Sequence, residues 1–233
     1  METIRTFLND STFFYVFLTL ITYSFGVMLK NKFKHPVFNP LLISTVLCIA
    51  VIVGLKLDIQ KYKSGVKFIS FLLTPVTVCL AIPLYEQFEK LKQNWLAILL
   101  GIISGVVTSM TLIFGMCMAF GLSKVEYISL LPKSITTPIG MAMSEKFAGL
   151  PSLTIVAIVI TGILGNICAE LILKIFKITH PVAKGVAIGT SSHALGTAKA
   201  MEIGEIEGAM SGLSIAVAGI ITVILFSFYA KLM

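Results

Sequence analysis

The sequence predicts an all-α integral membrane protein, a polytopic bundle of seven to eight transmembrane segments of which two are broken or re-entrant. Of its 233 residues, 57% are hydrophobic and only 12% charged, and the mean hydropathy is +0.98. Uncharged apolar runs recur from end to end, several of them near the roughly 18 residues that mark a spanning helix. A soluble domain balances roughly 45–50% apolar against about 25% charged residues, so a water-facing surface cannot be built from this chain. Each crossing takes about 20 residues, which leaves one membrane domain over 1–233 and no room for a separate soluble one.

The stretch Met1 to Ser11 leads into the apolar run Phe13–Leu29 without an Ala-x-Ala cleavage pattern, and reads as the approach to a retained first span. Further runs follow at Leu41–Leu57, Phe68–Leu84, Trp95–Gly121, Pro151–Phe176 and Ser211–Tyr229, giving six ordinary spans. Pro40 opens the second, where a helix tolerates proline in its first turn. The formal charge of +7 comes from lysines in or beside the short junctions, such as Lys30, Lys61, Lys174, Lys177 and Lys184. Such charges orient a protein at an anionic bilayer surface and need no nucleic acid. With eight crossings and cytoplasmic ends, eleven of the 18 basic residues fall inside; with 127–148 re-entrant and the N-terminus outside, nine do. Both arrangements keep Lys174, Lys177 and Lys184 inside. Cys48, Cys79, Cys117 and Cys168 stand singly among apolar neighbours and read as small hydrophobes.

Segments 127–148 and 182–203 are long enough to cross but carry proline, glycine, hydroxyls and charges. Pro132 and Pro138 each remove a helical donor, and Gly185, Gly189 and Gly196 weaken the second segment, with Gly189 placed at its break. Bare backbone at membrane depth survives only inside protein or beside a water-filled cavity, so both segments belong in the interior. Two echoes suggest an internal repeat, of the kind carriers often show. Residues 134–142 align with 191–198, matching Gly140 to Gly196, and Thr74-Pro75 aligns with Thr137-Pro138, which marks Pro75 as a third break.

The first break offers Lys133, Ser134, Thr136, Thr137 and Gly140 within about two turns: a cation, three hydroxyls and free backbone groups, the parts of an anion site. Capping by the threonines, with Lys133 snorkelling to the interface, is the bland alternative. The second offers Thr190, Ser191, Ser192, His193, Gly196 and Thr197. His193 is a candidate proton carrier, or else a structural partner between helices. Glu145 and Glu202 are further candidates for proton or ion coupling, and Asn166 is placed to bond carbonyls freed by a broken helix. Glu170 and Lys174, four apart, read as a pair on one helix face. Catalysis finds no support: Ser192 and His193 are adjacent and point about 100° apart, and there is no His-Glu-x-x-His motif and no phosphate loop. No cofactor or metal is expected.

Across nearly its whole length the chain resembles the LrgB/CidB family of bacterial membrane proteins, related to the LrgB-like half of plastid glycolate/glycerate carriers. The resemblance rests on Asn39-Pro40-Leu41-Leu42-Ile43-Ser44, Ala81-Ile82-Pro83-Leu84-Tyr85, Leu131-Pro132-Lys133-Ser134-Ile135-Thr136-Thr137, and Ala183-Lys184-Gly185 through Gly189 to Ala200. It implies a multi-pass protein of the bacterial cytoplasmic membrane. It also implies one of two roles: an antiholin-like regulator of murein hydrolase activity and lysis, working with a smaller LrgA/CidA-like membrane partner, or a carrier of small monocarboxylate anions such as pyruvate, glycolate or glycerate. The residues agree better with the carrier, since a regulator without a substrate needs no pocket of cation and hydroxyls. Homo-oligomerisation stays open, and Gly101-x-x-x-Gly105 is a candidate packing motif toward a partner.

Overall fold

A computed structural model describes residues 11–33, 38–72, 75, 78–79, 81–86 and 88–233. All regular structure among them is helical. Four helices are long and apolar enough to cross a membrane, Phe13–Phe33, Lys92–Ala119, Pro151–Ile175 and Glu205–Tyr229, and a shorter apolar one covers Pro40–Gly54. The lead-in up to Asp10, residues 73–74, 76–77 and 80 of the run Phe68–Leu84, and with them Thr74 of the second echo, lie outside the described residues. Large apolar side chains point outward along the long helices, Leu171 being 60% and Ile224 68% exposed. Contiguous faces of this kind are rare against water but suit lipid, which is as apolar as they are.

The chain divides into two units, Met1–Cys79 and Leu80–Met233. In the first, α1 (Thr12–Phe33) packs on α2 (Pro40–Gly54) and α3 (Ile59–Gly65), and α4 (Lys67–Phe71) follows. Asn39 caps α2, its side chain accepting from Leu41 N at 2.9 Å and Leu42 N at 3.2 Å ahead of Pro40 in the first turn. The helix stops three residues short of the apolar run because Lys56 turns left-handed at φ 49 and Leu57 N bonds back to Ile52 O at 2.9 Å, a C-terminal cap that ends the ladder. Between α1 and α2, the Thr22 hydroxyl meets Ser44 Oγ at 3.0 Å, a polar pin where lipid supplies no hydrophobic drive for association.

The second unit holds α5 (Ala81–Glu86), α6 (Phe88–Ala119), α7 (Lys124–Leu130), α8 (Thr137–Lys146), α9 (Pro151–Ile175), α10 (Pro181–Ile203) and α11 (Glu205–Tyr229). Its core lies where α6, α7 and α11 meet, around the fully buried Ile102, Met110, Tyr127 and Phe226. Tyr127 Oη donates to Tyr229 O at 2.9 Å, and Tyr229 Oη pairs with Thr111 Oγ1 at 2.7 Å.

Segment 127–148 is interrupted, as its prolines require. α7 has seven residues and α8 ten, about 10 and 15 Å of helix, so neither crosses a bilayer alone. Pro132 sits in the turn between them, where its carbonyl accepts from Ile135 N at 3.3 Å. Pro138 stands in the first turn of α8, where its missing N–H costs nothing. The chain then comes back toward α7: Leu150 N donates to Ser129 Oγ at 2.7 Å and Thr154 Oγ1 to Ser129 O at 2.8 Å.

Segment 181–203 also turns back on itself. Helical geometry fails at His193, with φ 44 and ψ −143. A side chain on Gly196 would lie 3.2 Å from Ile188 O, whereas eight residues of straight helix span about 12 Å. Lys184 and Ile203 likewise line one recess, although a straight rod would hold them about 28 Å apart. The break is therefore at His193 and not at Gly189. Gly189 is helical, and its missing side chain instead lets the backbone of Ser211 on α11 come within contact distance.

Glu170 pairs with Lys199 on the returning arm, not with Lys174 on its own helix. The fold-back at His193 brings Lys199 to it, and Lys199 also reaches Glu202 at 3.2 Å. Both carboxylates are largely exposed, with side chains 65% and 49% accessible, so the network adds little. Lys199→Met is expected to change stability by less than about 1 kcal/mol, which thermal unfolding in detergent checks.

Candidate functional site

The bend of α10 is seated against the middle of α9. His193, 4% exposed, bonds through Nε2 to Ile158 O at 2.9 Å; a carbonyl only accepts, so Nε2 carries a proton. Asn166 Nδ2 donates to Leu195 O at 2.7 Å, satisfying a carbonyl beside the break. Gly162 and Gly165 make the room: a Cβ on Gly162 would fall 2.6 Å from the His193 ring, and one on Gly165 would coincide with the Ser192 side chain. Gly162 and Gly165 lie at the centre of the span Pro151–Ile175, so the bend sits at mid-span depth.

Left-handed backbone at a non-glycine residue costs of order 1–3 kcal/mol, which the ring bond of His193 helps to offset. His193→Ala and His193→Gly both lose that bond, but only glycine accepts φ 44 without strain. The Gly variant is expected to be the more stable by about 1–2 kcal/mol in detergent unfolding; equal stabilities would contradict a strained bend.

The two interrupted segments share a cavity of about 450 Å³. Lys133 and Ser134 enter it from the first break, Thr190 and Ser191 from the arm of α10 just before the second, and Ser104 and Thr108 from α6. Its α6 wall runs from Gly101 to Leu112, bracketing the centre of the span Lys92–Ala119. Lys133 Nζ donates to Ser134 Oγ at 3.1 Å, and Ser134 Oγ meets Ser109 Oγ at 3.2 Å. No carboxylate pairs with Lys133 among the described residues. Thr190 is 7% exposed, and its hydroxyl has no hydrogen-bond partner among them. Buried hydroxyls are nearly always bonded, and a cation at membrane depth costs about 3 kcal/mol even on lenient scales. The unpaired cation suits an anion in the cavity.

The other site residues read from the sequence lie elsewhere. Thr136 is extended at the N-cap of α8 without a side-chain cap bond, and Thr137 begins that helix. Gly140 packs under Ile158, and Gly196 packs against Ser192 and Ile188. Thr197 bonds His193 O at 3.1 Å and Ser211 Oγ at 2.7 Å. Ser192 is buried beside Gly165, with its hydroxyl 3.0 Å from that of Ser191. Glu145 and Glu202 are exposed at helix ends. Pro75 is helical, but its neighbours 73–74 and 76–77 lie outside the described residues. Gly101 and Gly105 line the cavity and approach Val186 and Thr190 of α10. Ser104, Thr108 and Ser109 sit inside the most regular apolar run, where hydroxyls recurring one turn apart are the sequence signal of a polar wall.

A helical, multi-pass membrane protein with two interrupted segments is thus defined by fold and site. Residues 19–232 match the LrgB-like family, and the chain belongs to it. Relatives in Bacillus cereus and Bacillus anthracis, each called antiholin-like protein LrgB, are 37% identical over 221 residues, covering 93% of this chain and 95% of each relative. No solved structure matches the chain.

Proposed function

We propose that the chain carries small monocarboxylates such as pyruvate, glycolate or glycerate across the bacterial cytoplasmic membrane, alone or as the carrier half of a pair with an LrgA/CidA-like protein. The supporting observation is the cavity that joins Lys133 and Ser134 to Thr190 and Ser191 at mid-span depth. Lys133 supplies the charge for a carboxylate, and the surrounding hydroxyls supply directional donors in place of water. In a bilayer the two interrupted segments would be re-entrant, each dipping to the centre and returning, with irregular backbone only where it borders the cavity. Such an arrangement accounts for the composition with fewer complete crossings than seven or eight. His193 is held by α9 and shapes the bend, which leaves proton coupling to be tested by the pH dependence of flux.

Vesicles containing the purified chain should take up labelled pyruvate or glycolate in a saturable manner. Absence of uptake with every short monocarboxylate, with and without the LrgA/CidA-like partner, would defeat the carrier reading.

One observation favours the regulatory reading carried by the relatives' name. The cavity is open, with Ser104, Thr108, Leu112, Ala187 and Ser191 all exposed, as a face that a membrane partner covers would be. A regulator without a substrate, tied to murein hydrolase control and lysis, would keep its effect on lysis when Lys133 and Thr190 are replaced. A carrier would lose its flux.

A further inference from the structure

The turn between α9 and α10 carries a second recess, of about 580 Å³, separate from the cavity at the two breaks. Lys174, Lys177 and Lys184 line it together with the hydroxyl of Thr179. Its one carboxylate, Glu170, is engaged by Lys199, and Lys184 is shared with Glu207 at 3.7 Å. Lys174 and Lys177 have no ion-pair partner among the described residues. Two unpaired cations, Lys174 and Lys177, thus converge beside a third that Glu207 shares and a carboxylate that Lys199 already neutralises, and the balance favours an anion.

The floor of the same recess is apolar, formed by Leu173, Ile178 and Ile203. Position fixes the setting: Lys174 is in the last turn of α9 and Lys177 just past it, at the end of the span Pro151–Ile175. Ile203 joins them only because α10 turns back at His193, so the recess is a product of the fold and not of a lysine-rich sequence run. A free phosphate would use the lysines and leave the apolar floor bare; a glycerophospholipid uses both. Basic pockets between membrane helices at the cytoplasmic face hold anionic headgroups in just this way.

We propose that this recess binds the phosphate headgroup of an anionic glycerophospholipid, with Lys174 and Lys177 on the phosphate and the first carbons of an acyl chain against Leu173, Ile178 and Ile203. Delipidated protein in a neutral detergent, titrated with dioleoyl phosphatidylglycerol, dioleoyl phosphatidylcholine or inorganic phosphate, tests it by thermal shift. Phosphatidylglycerol should raise the unfolding temperature saturably, and the other two should not. The double variant Lys174→Gln with Lys177→Gln should weaken the apparent affinity roughly tenfold or more. Lys174→Arg with Lys177→Arg should retain it, and so should Lys146→Gln, an exposed lysine at the end of α8. Equal stabilisation by inorganic phosphate would overturn the lipid assignment. An unchanged phosphatidylglycerol response in the Gln pair, or loss of response in the Arg pair, would overturn the site.

Discussion

Lys133→Ala, reconstituted into vesicles at the same protein density as the unaltered chain, is expected to lower saturable uptake of labelled pyruvate or glycolate by about tenfold or more. A charge-assisted hydrogen bond is worth about 1.5–3 kcal/mol, and each 1.4 kcal/mol is about a factor of ten in binding. The loss should not come from unfolding, because Lys133 makes no ion pair among the described residues and its recorded bond is to the adjacent Ser134. Removing a lone cation from mid-span depth should leave the unfolding temperature unchanged or raise it. Lys133→Arg, which keeps the charge, should retain most of the flux. Uptake that persists at full rate in Lys133→Ala would remove this lysine from the site.

Gly165→Leu is expected to have the largest effect on folding. A Cβ at this position would occupy the space of the Ser192 side chain, and the bend of α10 cannot retreat without giving up the bonds from Asn166 to Leu195 O and from His193 to Ile158 O. Overpacking alone costs about 1–3 kcal/mol, and each lost bond adds to it. Little monodisperse protein should survive detergent extraction. Gly115→Leu on α6 is the matched control, since a Cβ there meets nothing within 4 Å, and it should extract normally. If both variants behave alike, the notch on α9 does not seat the bend.

Much of the helical layout was legible because composition settles it: apolar runs at Pro151–Phe176 and Ser211–Tyr229 differ from the observed helices only at their ends. Those ends moved for local reasons. α11 starts six residues earlier, at Glu205, because acidic side chains are favoured in a first turn, even though they interrupt an apolar pattern. The helices end at Leu130 and resume at Thr137, around Pro132 and Pro138, because proline acts through its own missing donor. The second break was misplaced at Gly189 because a glycine permits either a bend or a close contact, and sequence does not say which. Here it serves a contact, and the bend falls on His193, a residue type that adopts positive φ more readily than most non-glycines but does not require it. That Lys133 and Thr190 share a cavity was also beyond the sequence, because their meeting depends on both segments turning back and on α6 between them.

Lys133 and Ser134 at the first break and Thr190 and Ser191 ahead of the second are proposed to line one carboxylate-binding cavity, and thiol protection checks this. In a chain lacking its native cysteines, Ser191→Cys is exposed at the rim and should react with a membrane-impermeant thiosulfonate. Saturating glycolate or pyruvate should slow that reaction several-fold, and the protection should vanish when Lys133→Ala is added. A reaction rate indifferent to both acids, with Lys133 intact and the protein folded, would contradict it.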